Sequence, residues 1–212
     1  MPEMGQGVFF PQPLREGWLD PEELPASELA NLWHYGPVLE VAEAWGIRLR
    51  VRALACLRGT WLVQGWTEEE SAGFGFALWT PRSFTELDGT GVPIYEVCEE
   101  SELTLDSRTV LEYAALFSRF VYGENGPFWL VLSADDLNAS APPGTRAEVS
   151  EAGEPPAYAA ISDKELSALI APPVVAHAET GWSVECCLQY GGDLARGRFR
   201  VQGDGAMEML ED

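Results

Sequence analysis

The side chains with the most evident potential for nucleophilic or acid–base chemistry are two histidines, His34 and His177, and four cysteines. A thiol becomes a catalytic nucleophile when an imidazole lies within hydrogen-bond distance, and Cys186 with His177 is one such pair to consider. Neither histidine stands in H-x-x-x-H or H-E-x-x-H spacing, so a zinc site is not indicated. We interpret Cys186 as a buried thiol and His177 as a surface imidazole, and keep the pair as an alternative.

Carboxylates form two further groups that could do chemistry. Asp135 and Asp136 follow a short apolar stretch, a position at which hydrolases and metal enzymes often place carboxylates. A second group has five carboxylates within a short stretch that holds no basic residue: Glu96, Glu99, Glu100, Glu102 and Asp106. Mg²⁺ and Ca²⁺ prefer such oxygen ligands, but the sequence has no EF-hand loop. Acidic turns are expected in so acidic a chain, and we predict no metal site.

Glycine-rich motifs that cradle phosphates are incomplete. The sequence lacks G-x-x-x-x-G-K-[ST], and its one lysine, Lys164, has no such context. The segments 73–75 and 89–91 lack the third glycine of a dinucleotide-binding turn, so we interpret them as strand or turn glycines. There is no G-x-S-x-G either, so a nucleophile elbow is not indicated. We therefore predict no cofactor and assign no catalytic residue.

Two segments place arginine at every second position, and together they hold six of the 13 basic residues. Because side chains alternate along a strand, the three arginines of each segment are expected on one face. One interpretation is cross-strand salt bridges with the surplus carboxylates, each worth roughly 0.2–1 kcal/mol. The other is a surface that binds an anion or an acidic peptide. These candidate binding residues are Arg48, Arg50, Arg52, Arg196, Arg198 and Arg200.

The charge balance bounds the possible partners. The 212 residues include 34 Asp and Glu against 13 Lys and Arg, which gives a formal net charge of −21. So negative a surface repels phosphate backbones and anionic membranes, and it attracts basic proteins and basic tails. High net charge also serves solubility alone. We therefore expect no direct binding of nucleic acid or membrane.

The compartment follows from the cysteines and from the N-terminal sequence. Cys56, Cys98, Cys186 and Cys187 form neither a C-x-x-C motif nor a secreted disulfide framework. Residues 1–17 lack a basic region followed by an apolar stretch, so no signal peptide is expected. No apolar run approaches the roughly 20 residues of a spanning helix. These features predict a cytoplasmic protein with free thiols.

The elements that would position these residues are mainly strands. Short connections and alternation predict an antiparallel meander over 48–80 and a second one over 182–210. Further strands are predicted over 7–10, 92–97 and 128–132.

Three helical regions are predicted between the strands. One runs from about residue 27 to 45, is divided at Pro37 and stops at Gly46. A second, over 108–122 with Ser107 as its cap, is apolar on most sides and is therefore expected to be a buried central helix. Ser162 opens a third helix with capping-box spacing.

We therefore predict an α+β fold in which antiparallel β-meanders pack on a buried central helix. Residues 1–212 are predicted to form a single α+β domain with an excursion over 134–160 that is rich in Pro, Ala and Gly. Because that excursion also reads as a linker, a division into 1–133 and 161–212 is the alternative.

The leading functional hypothesis is a non-catalytic acidic interaction protein, which acts as an adaptor, an accessory subunit or an inhibitor of a basic partner. Its partner would be a basic protein or a basic peptide segment, and the oligomeric state is left open. One alternative is an enzyme whose site is assembled from scattered residues, with Asp135, Asp136, His177 and Cys186 as candidates. Another is a DNA mimic whose carboxylates imitate phosphates to block a nucleic-acid-binding protein.

Overall fold

The computed structural model describes residues 13–67, 75–124, 126–133, 136, 162–190 and 193–210. Within these ranges the chain is α+β with antiparallel sheets, which confirms that part of the predicted fold class. The predicted strand over 7–10 and the excursion over 134–160, apart from Asp136, lie outside the described residues. None of the described helices combines the length and the apolar character that crossing a membrane requires.

The described residues form fourteen strands, five α-helices and one 3-10 helix. The strands are β1 (Trp18–Leu19), β2 (Ile47–Ala53), β3 (Leu57–Arg58), β4 (Trp61–Thr67), β5 (Gly75–Trp79), β6 (Phe84–Glu86), β7 (Glu102–Leu103), β8 (Tyr122–Gly123), β9 (Gly126–Pro127), β10 (Trp129–Val131), β11 (Val174–Ala178), β12 (Gly181–Tyr190), β13 (Asp193–Gln202) and β14 (Met207–Leu210). The helices are α1 (Ala26–Leu29), α2 (Tyr35–Ala44), α3 (Val92–Glu100), α4 (Thr109–Phe120) and α5 (Asp163–Leu169), with a 3-10 helix over Pro21–Glu23.

Two five-stranded antiparallel sheets contain most of the described strand residues. The first has the order β1-β2-β4-β5-β6, and the second has the order β10-β12-β13-β14 with β11 also paired to β12. Strands β2, β4 and β5 form the first predicted meander, and β12, β13 and β14 form the second. Both meanders are therefore confirmed, whereas β1, β6 and β11 were not predicted.

Strand β4, at the centre of the first sheet, is buried on both faces over Trp61–Gly65, which explains its apolar sequence. Successive residues of β4 point to opposite faces, so Leu62 packs into the larger apolar cluster and Val63 into the smaller one. The larger cluster also holds Leu116 of α4 and Val184 of β12. The smaller cluster includes Val38 of α2.

Helix α4 confirms the predicted helix, with a different cap. The carboxylate of Asp106, rather than Ser107, accepts hydrogen bonds from the backbone N–H groups of Arg108 at 2.7 Å and Thr109 at 2.9 Å. These two bonds lower the pKa of Asp106, because they stabilise its ionised form. Nine of the twelve residues of α4 are buried.

The strand predicted over 92–97 is wrong, because this segment begins helix α3. Pro93 lies in the first turn, where its missing N–H costs no intrahelical hydrogen bond. Pro93, Ile94 and Val97 are buried at helical spacing, so the apolar run has the period of one helix face.

The first helical region is also divided differently from the prediction. Pro37 lies in the first turn of α2, where proline is tolerated, and the break falls upstream at His34, which adopts a left-handed φ of 47°. The predicted stop at Gly46 is confirmed by its φ of 64°. The capping box of α5 is confirmed as well, because the Ser162 N–H donates to Glu165 and the Glu165 N–H donates to the Ser162 hydroxyl.

Candidate binding groove

A surface groove of about 970 Å³ lies where the start of β2 meets the 3-10 helix and the end of α2. We call it the acidic groove. It is lined by carboxylate, aromatic and aliphatic side chains together with one guanidinium. The lining residues are Asp20, Pro21, Glu22, Leu39, Glu43, Trp45, Gly46, Ile47, Arg48, Leu49, Trp66 and Thr67.

The aromatic part of the acidic groove centres on Trp45, which follows the last residue of α2. Trp45 is 76% exposed, more than any other large apolar residue among the described residues. The backbone fixes its place, because the N–H of Trp45 donates to the Val41 carbonyl and the N–H of Gly46 to the Glu43 carbonyl. The left-handed turn at Gly46 then leads into β2. Tryptophan is enriched at protein interfaces, so this exposed indole beside carboxylates is a candidate contact residue.

Three exposed carboxylates give the groove its charge. Asp20 and Glu22 lie at the 3-10 helix, and Glu43 lies in the last turn of α2. None of the three forms an ion pair with another described residue. Tyr35 joins the two helices, since its hydroxyl donates to the Pro21 carbonyl at 3.4 Å. Burial, reinforced by the charge of Glu22, raises the pKa of Tyr35.

Arg48 is the one basic residue in the lining of the acidic groove. It lies opposite Trp66 in the register of β2 and β4, so both side chains are on the same sheet face. Three carboxylates against one guanidinium leave the lining negative. A negative, partly aromatic groove attracts cations, and an exposed indole adds a cation–π contact for an arginine or lysine.

The other two arginines of β2 contact other groups of the protein, and Arg52 is buried. The Arg52 guanidinium pairs with Glu112 of α4 at 2.8 Å and donates to the carbonyls of Glu16 and Pro13. The guanidinium carbon of Arg50 lies 4.6 Å from the centre of the Trp18 ring. Partial burial lowers the pKa of Arg50.

The arginines of β13 lie on the second sheet and pair with carboxylates of neighbouring strands. Arg196 and Arg198 contact the same carboxylate, Glu185 of β12, at 3.0 and 3.5 Å. Arg200 contacts Glu208 of β14 at 3.7 Å. These contacts favour the cross-strand salt-bridge interpretation for the β13 segment, which lies in a different sheet from the β2 segment. A surface that binds an anion or an acidic peptide stays a prediction.

The carboxylate pair proposed for an enzyme site is only partly described, because Asp135 lies outside the described residues. Asp136 is 3% exposed and its carboxylate already has several donors. It accepts from the N–H groups of Leu132 and Ser133 and forms an ion pair with Arg15. Asp136 therefore ties the N-terminal segment to the end of β10.

The alternative pair of Cys186 with His177 is separated in the second sheet. His177 lies opposite Trp182 in the register of β11 and β12, and Cys186 is four residues further along β12. Four strand residues span about 13 Å, which is far beyond hydrogen-bond distance. Burial, and then the neighbouring Cys187, raises the pKa of the Cys186 thiol to about 12, so it stays protonated at neutral pH.

The acidic stretch over 96–106 also has local partners. Glu102 contacts Arg58 at 3.3 Å, Glu100 accepts from the Ser83 hydroxyl at 2.8 Å, and Asp106 caps α4. Within the described ranges, no group of three or more His, Cys, Asp and Glu side chains is arranged to hold a metal ion.

The acidic groove itself was not predicted from the sequence. Its lining comes from three separate segments, within 20–22, 39–49 and 66–67, which the fold brings together. The sequence did contain one signal for an exposed aromatic residue. Trp45 directly precedes the glycine that ends α2, and it lies four residues after the exposed Val41, on the same side of the helix.

Comparison with known proteins adds no relative. No protein-family model, no curated protein and no solved structure matches this chain.

Proposed function

We propose that this chain is a non-catalytic interaction protein that binds a basic segment of a partner protein in the acidic groove. The observation that carries the proposal is the groove's composition: three exposed carboxylates without described ion-pair partners, beside Trp45, which is 76% exposed. Opposite charge steers association and sets specificity, while a large aromatic anchor supplies contact area. The net charge of −21 extends the attraction beyond the groove. The cytoplasmic location belongs to the same proposal.

The proposal includes a frame that holds the groove in shape, with both sheets packed on α4 as a central helix. Three contacts support it. Glu112 of α4 pairs with Arg52 of β2 and accepts from the Cys56 N–H at 2.8 Å. Tyr113 of α4 donates its hydroxyl to the Gly205 carbonyl at 2.7 Å, in the turn before β14.

Arg119 of α4 supplies the third contact, and it reaches both sheets. Its guanidinium carbon lies 5.6 Å from the centre of the Phe76 ring in β5 and 4.4 Å from that of Trp129 in β10. The side chain is buried, and this burial lowers its pKa to about 10. A buried guanidinium between aromatic rings of both sheets ties their positions to α4.

The first experiment is capture from a lysate of the source organism with tagged protein at low and high salt. We expect a stoichiometric basic protein that is retained at low salt and lost at high salt, because exposed charge pairs are screened. The double variant Glu22→Gln/Glu43→Gln removes two groove charges. It should weaken retention about tenfold, since two exposed pairs are together worth about 1.4 kcal/mol.

The matched control is Glu96→Gln/Glu99→Gln, which changes the net charge equally on the exposed face of α3, outside the groove. Retention by this control should stay close to that of the unmodified protein. Equal loss in both double variants would assign the attraction to net charge and contradict the groove. Retention of a partner that is not basic would contradict the proposal as a whole.

A further inference from the structure

The acidic groove runs beside a strand whose neighbour stops early. Strand β1 pairs with β2 at two positions only, Trp18 with Arg52 and Leu19 with Val51. After Leu19 the chain leaves the ladder at Asp20 and enters the 3-10 helix, which still lies against β2 and lines the groove with it. None of the described strands continues the β1 ladder along Ile47 and Leu49, and both residues line the groove.

A sheet edge of this kind accepts an added strand. In a strand, the N–H and C=O groups of alternate residues point to opposite sides, so one alternate set within the first half of β2 is directed to the groove side. An extended peptide can hydrogen-bond to such a set and extend the sheet. Its side chains then alternate between the two sheet faces.

The groove's side chains define which peptide would fit. The residues that follow β1 in the chain, Asp20 and Glu22, carry negative charge, and Glu43 and Trp45 belong to α2 and its end. A peptide beside the first half of β2 would pass these three carboxylates and the indole, and its side chains would alternate between the two sheet faces. Basic residues at alternate positions therefore match both the strand period and the charge.

We infer that the acidic groove binds an extended segment of a partner protein as an added strand beside the first half of β2, with basic side chains at alternate positions. This inference rests on the proposed function and specifies its binding mode. The first four residues of β2 span about 13 Å, so the bound segment has about four to six residues.

The test uses a synthetic peptide of about six residues that alternates arginine and threonine, with acetylated and amidated ends, and fluorescence anisotropy at low salt. Two further versions carry N-methyl groups on the backbone nitrogens of either the arginines or the threonines. Methylation removes a hydrogen-bond donor and keeps the charge. Because only one alternate set of N–H groups faces β2, one version should bind at least about tenfold more weakly. The other should bind within about twofold of the parent peptide.

Protein variants locate the binding site of the same peptide. Glu22→Gln/Glu43→Gln should weaken binding, and Trp45→Ala should weaken it about two- to fivefold through the lost cation–π contact. Trp33→Ala is the aromatic control, because Trp33 is 39% exposed and lies outside the groove lining. It should leave the dissociation constant unchanged.

Each outcome decides between the binding mode and the proposed function. If both methylated peptides bind like the parent, or both weaken equally, while the groove variants still reduce binding, the added strand is overturned and the groove proposal stands. If the parent peptide binds equally to the groove double variant and the unmodified protein, or does not bind at all, both are overturned.

Discussion

Strands β2 and β13 carry the same pattern of arginine at every second position, yet the two strands use it differently. In β2 the pattern runs from an exposed Arg48 in the acidic groove to a buried Arg52 paired with Glu112. In β13 the guanidinium groups stay partly exposed and pair across the sheet with Glu185 and Glu208.

The difference comes from what covers each strand face. Helix α4 provides Glu112 for the buried end of β2, and the side chains of Arg52 and Glu112 are only 10% and 7% exposed. The side chains of Arg200 and Glu208 are 44% and 60% exposed. A buried charge that loses its partner destabilises the fold far more than an exposed charge that loses its partner. The same sequence pattern therefore contributes differently to the free energy of unfolding in the two sheets.

The largest expected effect is that of Arg52→Met. Methionine fills much of the volume but leaves the Glu112 carboxylate buried without its cation, and it removes the bonds to the Glu16 and Pro13 carbonyls. We expect the free energy of unfolding to fall by about 3–5 kcal/mol, measured by urea denaturation.

The double variant Arg52→Met/Glu112→Gln is the control for this cause. Glutamine removes the buried charge and can still accept from the Cys56 N–H, which Glu112 Oε2 contacts at 2.8 Å. The double variant should therefore be more stable than Arg52→Met alone. If Glu112→Gln adds further destabilisation instead, the loss comes from packing rather than from an uncompensated charge.

A smaller effect is expected for Arg196→Met in β13. Besides its contact with Glu185, Arg196 donates to the carbonyls of Leu169 at 3.4 Å and Ala171 at 3.1 Å, which tie the end of α5 to the sheet. Its side chain is 25% exposed, so the stability loss should be about 1–2 kcal/mol. A loss as large as that of Arg52→Met would remove the contrast between the two strands.

The two arginine segments also show which structural features can be predicted from the sequence and which cannot. The alternation of residue types predicted β2 and β13 correctly. The two-residue period of a strand is a local property, so it can be read from consecutive residues. The burial of Arg52 was not predictable, since it depends on Glu112, which lies in another helix. Tertiary contacts of this kind leave no local signal.

The groove and helix α3 illustrate the same limit in two ways. For α3, the apolar residues of 92–97 fit both a short strand and one helix face, and Pro93 was the local signal for a first helical turn. For the groove, Asp20, Glu43 and Trp45 are ordinary in their own segments. These three residues form one surface only because the fold brings their segments together beside the start of β2.

The smallest effect is expected for Arg200→Met, which tests the exposed end of the comparison. Its contact with Glu208 is 3.7 Å long and both side chains are open to water, so the pair should contribute less than about 1 kcal/mol. Urea denaturation at low and high salt should show a small loss that disappears at high salt, because exposed pairs are screened. A loss that persists at high salt would mean that Arg200 stabilises β13 through packing of its aliphatic stem. The contrast with β2 would then rest on the depth of the side chain rather than on the charge pair.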